Sequence, residues 1–233
     1  LIASTPGDEE SVAIALAEYP HRFVGFFMVN PLQEKAQERV SRAISELGLK
    51  CVCLFPAMHN YRMRDSRVIK LLETSASLKA AVFVHCGFLS VGVRKKLHLP
   101  SNFPMHLSNP LDLHQVVSMF PSLPIIIPHF GAGFFREVLM LADACDNVYL
   151  DTSSSNNWIR YHPSLTLRDV FRQTLQVLGP ERLLFGTDSS FFPRGWQRPI
   201  WETQATILQD LSLEKSDREQ IFHGNFERLF PLP

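Results

Sequence analysis

Short apolar runs recur along this chain roughly every 25–35 residues, and helical patterns fill the gaps between them. The runs lie at Leu1–Ser4, Phe23–Val29, Cys51–Phe55, Ala81–His85, Ile125–His129, Val148–Asp151 and Leu183–Thr187. They are too short for buried helices and mostly lack in–out alternation, so each is expected to be a strand covered on both faces. Helices are expected over Asp8–Tyr19, Gln33–Leu47, Asp65–Leu78, Pro110–Met119, from Phe134 to about Ala144, over Leu167–Leu178, and near 199–211 and 215–230. Gly48 and the pair Gly179-Pro180 supply stop signals. Strict strand–helix alternation implies a parallel sheet with right-handed crossovers. No Gly-x-Gly-x-x-Gly follows a strand and no P-loop is present, so a dinucleotide or nucleoside-triphosphate fold has little support. The expected fold class is α/β, a (β/α)8 TIM barrel forming one domain over residues 1–233, with an open doubly wound sheet as the alternative. Because Leu1 falls inside an apolar run, the first βα unit is expected to lie outside this chain.

Four of the runs deliver an ionisable group where they stop. Ala81-Ala-Val-Phe-Val ends at His85, Ile125-Ile-Ile-Pro at His129, Val148-Tyr-Leu at Asp151, and Leu183-Leu-Phe-Gly-Thr at Asp188. A carboxylate at the mouth of a buried strand is costly unless something pairs with it. In a parallel barrel those mouths converge on the face that carries active sites. His85, His129 and Asp188 are therefore expected to share one site. Asp151 stays open between that role and a local cap, because the loop residues Thr152, Ser153 and Ser154 follow it.

Composition excludes several classes. Lys plus Arg and Asp plus Glu are equal at 23 each, which argues against a nucleic-acid or anionic-membrane partner. No apolar run approaches the roughly 20 residues of a membrane span. Cys51, Cys53, Cys86 and Cys145 show no Cys-x-x-Cys spacing and lie in or beside apolar segments, as reduced core thiols of a cytoplasmic protein would. Cys86 is expected to point away from the site, opposite His85.

Read in order, the chain resembles the metal-dependent amidohydrolase superfamily, in the branch that includes aminocarboxymuconate-semialdehyde decarboxylase. The resemblance is carried by Phe23–Pro31, Gly48–Pro56, Val82-Phe-Val-His85, Pro128-His-Phe-Gly-Ala-Gly133, Asn147–Ser153, the Gly-Thr-Asp of Leu184–Asp188, and Gly224-Asn225 with Arg228-Leu-Phe230. It implies that His85 is a metal ligand, that Asp188 is a ligand that also takes a proton, and that His129 is the catalytic acid/base or a second-metal ligand. It implies one divalent ion, zinc before manganese. The family's first-strand His-x-His pair has no counterpart in this sequence. Cys51 and Cys53 occupy the fourth-strand segment, with Lys50 only at its start, so a bridging carboxylated lysine is not expected. Ser189-Ser190 stands where relatives often have Tyr-Pro.

Substrate clues are fewer. Arg94, Arg160 and Arg194 lie in three loops expected to top one face, and arginine suits carboxylates. Trp158, Trp196, Phe191 and Phe192 are candidates for an aromatic lining; the alternative is loop packing and solvated charge. The long connection from Gly87 to Asn109 has the length of a lid or binding loop. His114, His162 and His223 are expected to be structural or surface residues. The leading expectation is hydrolysis of a C–N or C–O bond in a small organic acid. Non-oxidative decarboxylation, a metal-free lactonase and a non-catalytic binding barrel are the rivals. A homodimer is compatible with the pattern, although the outer helices show no decisive apolar patch.

Overall fold

The computed structural model describes residues 2–3, 6–91, 94, 96–100, 102–153, 158–190 and 195–232. Its strands are β1 (Ile2–Ala3), β2 (Phe26–Met28), β3 (Cys51–Leu54), β4 (Ala81–Val84), β5 (Ile125–Ile127), β6 (Val148–Asp151) and β7 (Leu183–Leu184). They form one parallel sheet whose spatial order is the sequence order. The connecting helices are α1 (Glu9–Glu18), α2 (Ala36–Ser45), α3 (Ser66–Ser77), α4 (His114–Met119), α5 (Phe135–Ala144), α6 (Leu167–Leu178) and α7 (Arg198–Asp210). Two short helices, α8 (Lys215–Glu219) and α9 (Asn225–Leu229), flank a π-helical stretch at Gln220–Gly224. This is a (β/α) barrel architecture with seven strands.

Two of the helices begin at side-chain caps. Asp65 caps α3 by accepting from the Arg67 amide. Thr166 and Asp169 form a reciprocal capping box on α6, and Gly179 ends that helix at φ 68°. The segment expected as one helix from Pro110 divides into a 3-10 turn over Pro110–Leu113 and the α-helix α4, because Pro110 and the Asn109 cap tighten the first turn. The predicted strands also shorten. Pairing ends at Ile127 and Leu184, so His129, Thr187 and Asp188 lie beyond the ladder in the mouths of their strands.

Strand alternation divides the apolar side chains into two cores. One face packs outward against the helices through Phe27, Val52, Leu54, Val82, Val84, Ile125, Ile127, Val148, Leu150 and Leu183. The other face fills the interior with Phe26, Met28, Cys51, Cys53, Ala81, Ile126 and Leu184, with Phe83 and Tyr149 half-buried beside them. All four cysteines are free and buried. Cys86 belongs to the outer core, as expected, and burial pushes its thiol well up from its ordinary range.

The outer edge of β7 is satisfied by the end of the chain. Phe185 donates its amide to the Ile221 carbonyl at 3.1 Å. The buried Asn225 amide donates to the carbonyls of Pro180 and Leu183 at 2.7 and 2.8 Å. From the same turn Phe226 and Phe230 reach the interior and pack on Phe26, with ring centroids 6.3 and 5.1 Å apart. Asn225→Ala leaves two carbonyls unpaired beside β7, and we expect it to destabilise the fold by about 1–3 kcal/mol in urea unfolding. Replacing the exposed Arg228, which reaches only the Glu181 carbonyl, is expected to change it far less.

Candidate active site

Three side chains arrive at one end of the barrel by different routes. His85 continues the inward-facing register of Ala81 and Phe83 and is 4% exposed. Its ring lies 5.5 Å from that of His129, edge-on, and 5.4 Å from Phe55, stacked at 21°. Burial lowers its pKa to about 3; His129 pushes the same way, and Asp188 pulls weakly against both. His85 is therefore a neutral imidazole, and its Nδ1 is buried with no hydrogen-bond partner among the described residues. That is the protonation state of a metal ligand, and a poor one for a proton donor.

His129 reaches the site only because the backbone turns left-handed. By strand parity it would share the outward face of Ile125 and Ile127. Instead His129, Phe130, Gly131, Ala132 and Gly133 all have positive φ, at 58°, 49°, 79°, 43° and 104°. Non-glycine residues in this region cost of order 1–3 kcal/mol each, so the surroundings must impose it. Phe130, fully buried, is the anchor, edge-on to Phe135 at 6.3 Å and to Phe171 at 5.2 Å. Phe88 donates its amide to the Ala132 carbonyl at 2.8 Å. A β-carbon at Gly87 would stand 2.1 Å from the Gly131 oxygen and 2.5 Å from that of Ala132. The chain two residues past His85 is thus pressed against the turn that carries His129.

Asp151 and Ser153, at the end of β6, hold the His129 ring. Nδ1 of His129 lies 2.7 Å from the Ser153 hydroxyl and 3.0 Å from the Ser153 carbonyl. The Ser153 hydroxyl in turn donates to Oδ1 of Asp151, which also accepts the Ser153 amide at 2.9 Å. Asp151 keeps its place because the segment after β7 has a glycine opposite: a β-carbon at Gly186 would stand 2.2 Å from Asp151 Oδ2. Asp188 follows two residues later, half-buried, with φ 50°. Gln197 donates to the carbonyls of Thr187 and Asp188 at 3.2 and 3.0 Å. Buried Gln204 ties β6 to β7, donating to the Thr152 and Gly186 carbonyls while accepting from the Thr152 hydroxyl. Ser153, Gln197 and Gln204 were not singled out in the sequence. The signal for Gln204 was a polar residue on the buried stripe of α7 beside Leu208.

The expected substrate residues fare differently. Trp158 is 1% exposed and packs on Phe135 and His162 at 5.9 Å. This corrects its reading as a pocket wall, because the apolar indole is absorbed into the outer core behind the His129 turn. His162 braces the same turn from Nε2 to the Gly133 carbonyl at 3.1 Å. Arg94 is turned into its own loop, donating to the Pro100 carbonyl at 2.7 and 3.0 Å. Arg160 is exposed and folds over Tyr161. Trp196 is 65% exposed. Arg194, Phe191 and Phe192 lie outside the described residues. Lys50 lines an apolar groove at the start of β3, at the other end of the barrel, with Leu47, Gly48 and Pro231.

With this geometry in view, a family model for amidohydrolases matches residues 1–232. The chain belongs to the amidohydrolase family. Protein fluG of Emericella nidulans is 29% identical over 170 residues, which are 71% of this chain and 18% of that protein. The chain thus spans under a fifth of that relative. A dihydroxybenzoic acid decarboxylase from Polaromonas sp., solved with manganese and 2-nitroresorcinol, has a TM-score of 0.66 at 20% identity, covering 95% of this chain and 73% of its own. A protein from Acinetobacter baumannii described as a probable 2-pyrone-4,6-dicarboxylic acid hydrolase, solved with citric acid, has a TM-score of 0.66 at 15% identity, covering 99% and 82%. At these identities both structures establish the fold, and with it the barrel.

Two outcomes test the site as built. Gly87→Ala should destabilise by more than about 2 kcal/mol, against about 1 kcal/mol for Gly48→Ala, where a β-carbon meets nothing within 4 Å. In metal-free protein, the unfolded His85 imidazole binds a proton below its ordinary pKa of 6.5, whereas the buried one does not until about pH 3. Stability should therefore fall as pH drops from about 6.5 towards 3, by up to about 1.4 kcal/mol per pH unit from this group. Urea titrations on wild type and His85→Phe should show that slope reduced in the variant.

Proposed function

We propose that the chain is a divalent-metal-dependent enzyme that hydrolyses a C–N or C–O bond in a small carboxylate-bearing substrate. The convergence of His85, His129 and Asp188 carries this reading. His85 and Asp188 would hold the ion. The unpartnered buried nitrogen of His85, its neutrality, and the influence of Asp188 upon it fit a hard or borderline divalent ion such as zinc or manganese. They make two of the three or more donors such a site needs, and among the described residues no group of three His, Cys, Asp or Glu stands ready to hold a metal. When bound, the ion supplies Lewis acidity to substrate or water. His129 then moves a proton through its Nε2, and Asp188 accepts one at its carboxylate. The buried His85 ring and the aromatic floor keep bulk water from competing.

That floor supports a second reading, non-oxidative decarboxylation. Phe55 stacks on His85 and lies 6.4 Å from Phe83, so a substrate carboxylate against it would be poorly solvated and its loss as carbon dioxide favoured. Proton delivery to carbon would again fall to His129.

Metal content by plasma mass spectrometry, with assays on carboxylate-bearing lactones, amides and hydroxybenzoates, tests both readings. About one equivalent of zinc or manganese is expected, lost in His85→Ala and weakened in Asp188→Asn while circular dichroism stays native. Turnover in Asp188→Asn should fall by about 100-fold or more. Acid release identifies hydrolysis and carbon dioxide release the second reading. Wild-type protein that folds, stays metal-free and turns over would leave a metal-free lactonase; one that binds carboxylates without turnover would leave a binding barrel.

A further inference from the structure

We infer that Asp151 and Ser153 are positioning residues that fix the tautomer and aim of His129, so that it presents a basic Nε2 to the substrate. The inference rests on the acid/base role proposed for His129, but it can be tested apart from it. The Ser153 carbonyl, 3.0 Å from Nδ1, accepts only, so Nδ1 must carry the hydrogen. The Ser153 hydroxyl, 2.7 Å from the same nitrogen, has its own proton committed to Asp151 and so receives the Nδ1–H as well. Oδ1 of Asp151 gathers the Ser153 amide at 2.9 Å and the His129 amide at 3.5 Å, which holds that carboxylate in place. For the neutral ring, hydrogen counting leaves one arrangement: Asp151 carboxylate, Ser153 hydroxyl donating to it, His129 Nδ1–H donating to Ser153, and the lone pair on Nε2. The Ser153 oxygen thus ties the His129 ring to the Asp151 carboxylate and fixes its aim. Gly186 is part of the device, since only a glycine leaves room for Asp151 Oδ2.

Two-bond proton–nitrogen correlation spectra of protein carrying ¹⁵N-histidine, assigned with His129→Gln, test the tautomer without any substrate. A protonated Nδ1 and a bare Nε2 on His129 are expected, and the opposite tautomer would overturn the inference. On whichever substrate is found, Ser153→Ala and Asp151→Asn should lower kcat by about 10- to 100-fold with KM and metal content near wild type, while Ser153→Thr, which keeps the hydroxyl, restores most of it. Native circular dichroism and unchanged metal separate this from misfolding or ligand loss. Both variants turning over like wild type would also overturn the inference. His129→Gln retaining full turnover, in contrast, would remove the acid/base role of His129 and leave the tautomer result to stand or fall on its own spectrum.

Discussion

The site depends on one close approach between backbones. Gly87, two residues past His85, lies against the carbonyls of Gly131 and Ala132, and no side chain can come between them. The contact couples the mouths of β4 and β5 directly. It helps hold a left-handed run that few sequences tolerate, and the run converts an outward-facing position into an inward-facing histidine. Without it, His129 would point at the helix layer and the site would lose its acid/base candidate.

Support for that strained turn comes from behind. Phe130, Phe135, Phe171 and Trp158 form an aromatic block between the sheet and the helices α5 and α6, and His162 holds the Gly133 carbonyl. Strain at the mouth of β5 is thus sustained by packing in the outer core, away from the barrel interior. Beyond β6 and β7, Gln204 from α7 likewise bonds the Thr152 and Gly186 carbonyls from the helix side.

Much of this was legible in the residues. Alternation of apolar runs and amphipathic stretches predicts the sheet, its parallel sense and the helices around it. The strand-end rule points to His85, Asp151 and Asp188, because those three follow the parity of their strands or end an unmistakable run. It finds His129 too, though for an incomplete reason, since parity alone would have pointed that side chain outward. What the sequence could not reveal was set by tertiary contact. Ser153 looked like a loop serine until the His129 ring turned towards it, and Asp151 looked equally like a local cap. Trp158 and Arg94 show contacts that their residue types do not announce. Residue types suited to ligand recognition were drawn instead into the core and into a loop carbonyl, because loop position predicts exposure only when nothing apolar lies beneath the loop.

The bonds along the outer edge of β7 bear on how the molecule comes to exist. Asn225 serves Leu183 across 42 positions of chain, and Ile221 serves Phe185 across a similar span. During vectorial synthesis the strand bearing Asp188 therefore emerges with one side unanswered, and stays so until the α9 segment follows it out. Its partner β6 is complete well before then. The half of the site built on β4, β5 and β6 can thus take shape while the chain is still being made, and the carboxylate on β7 joins last. The assembly of the site is ordered in time by the same feature that seals its edge.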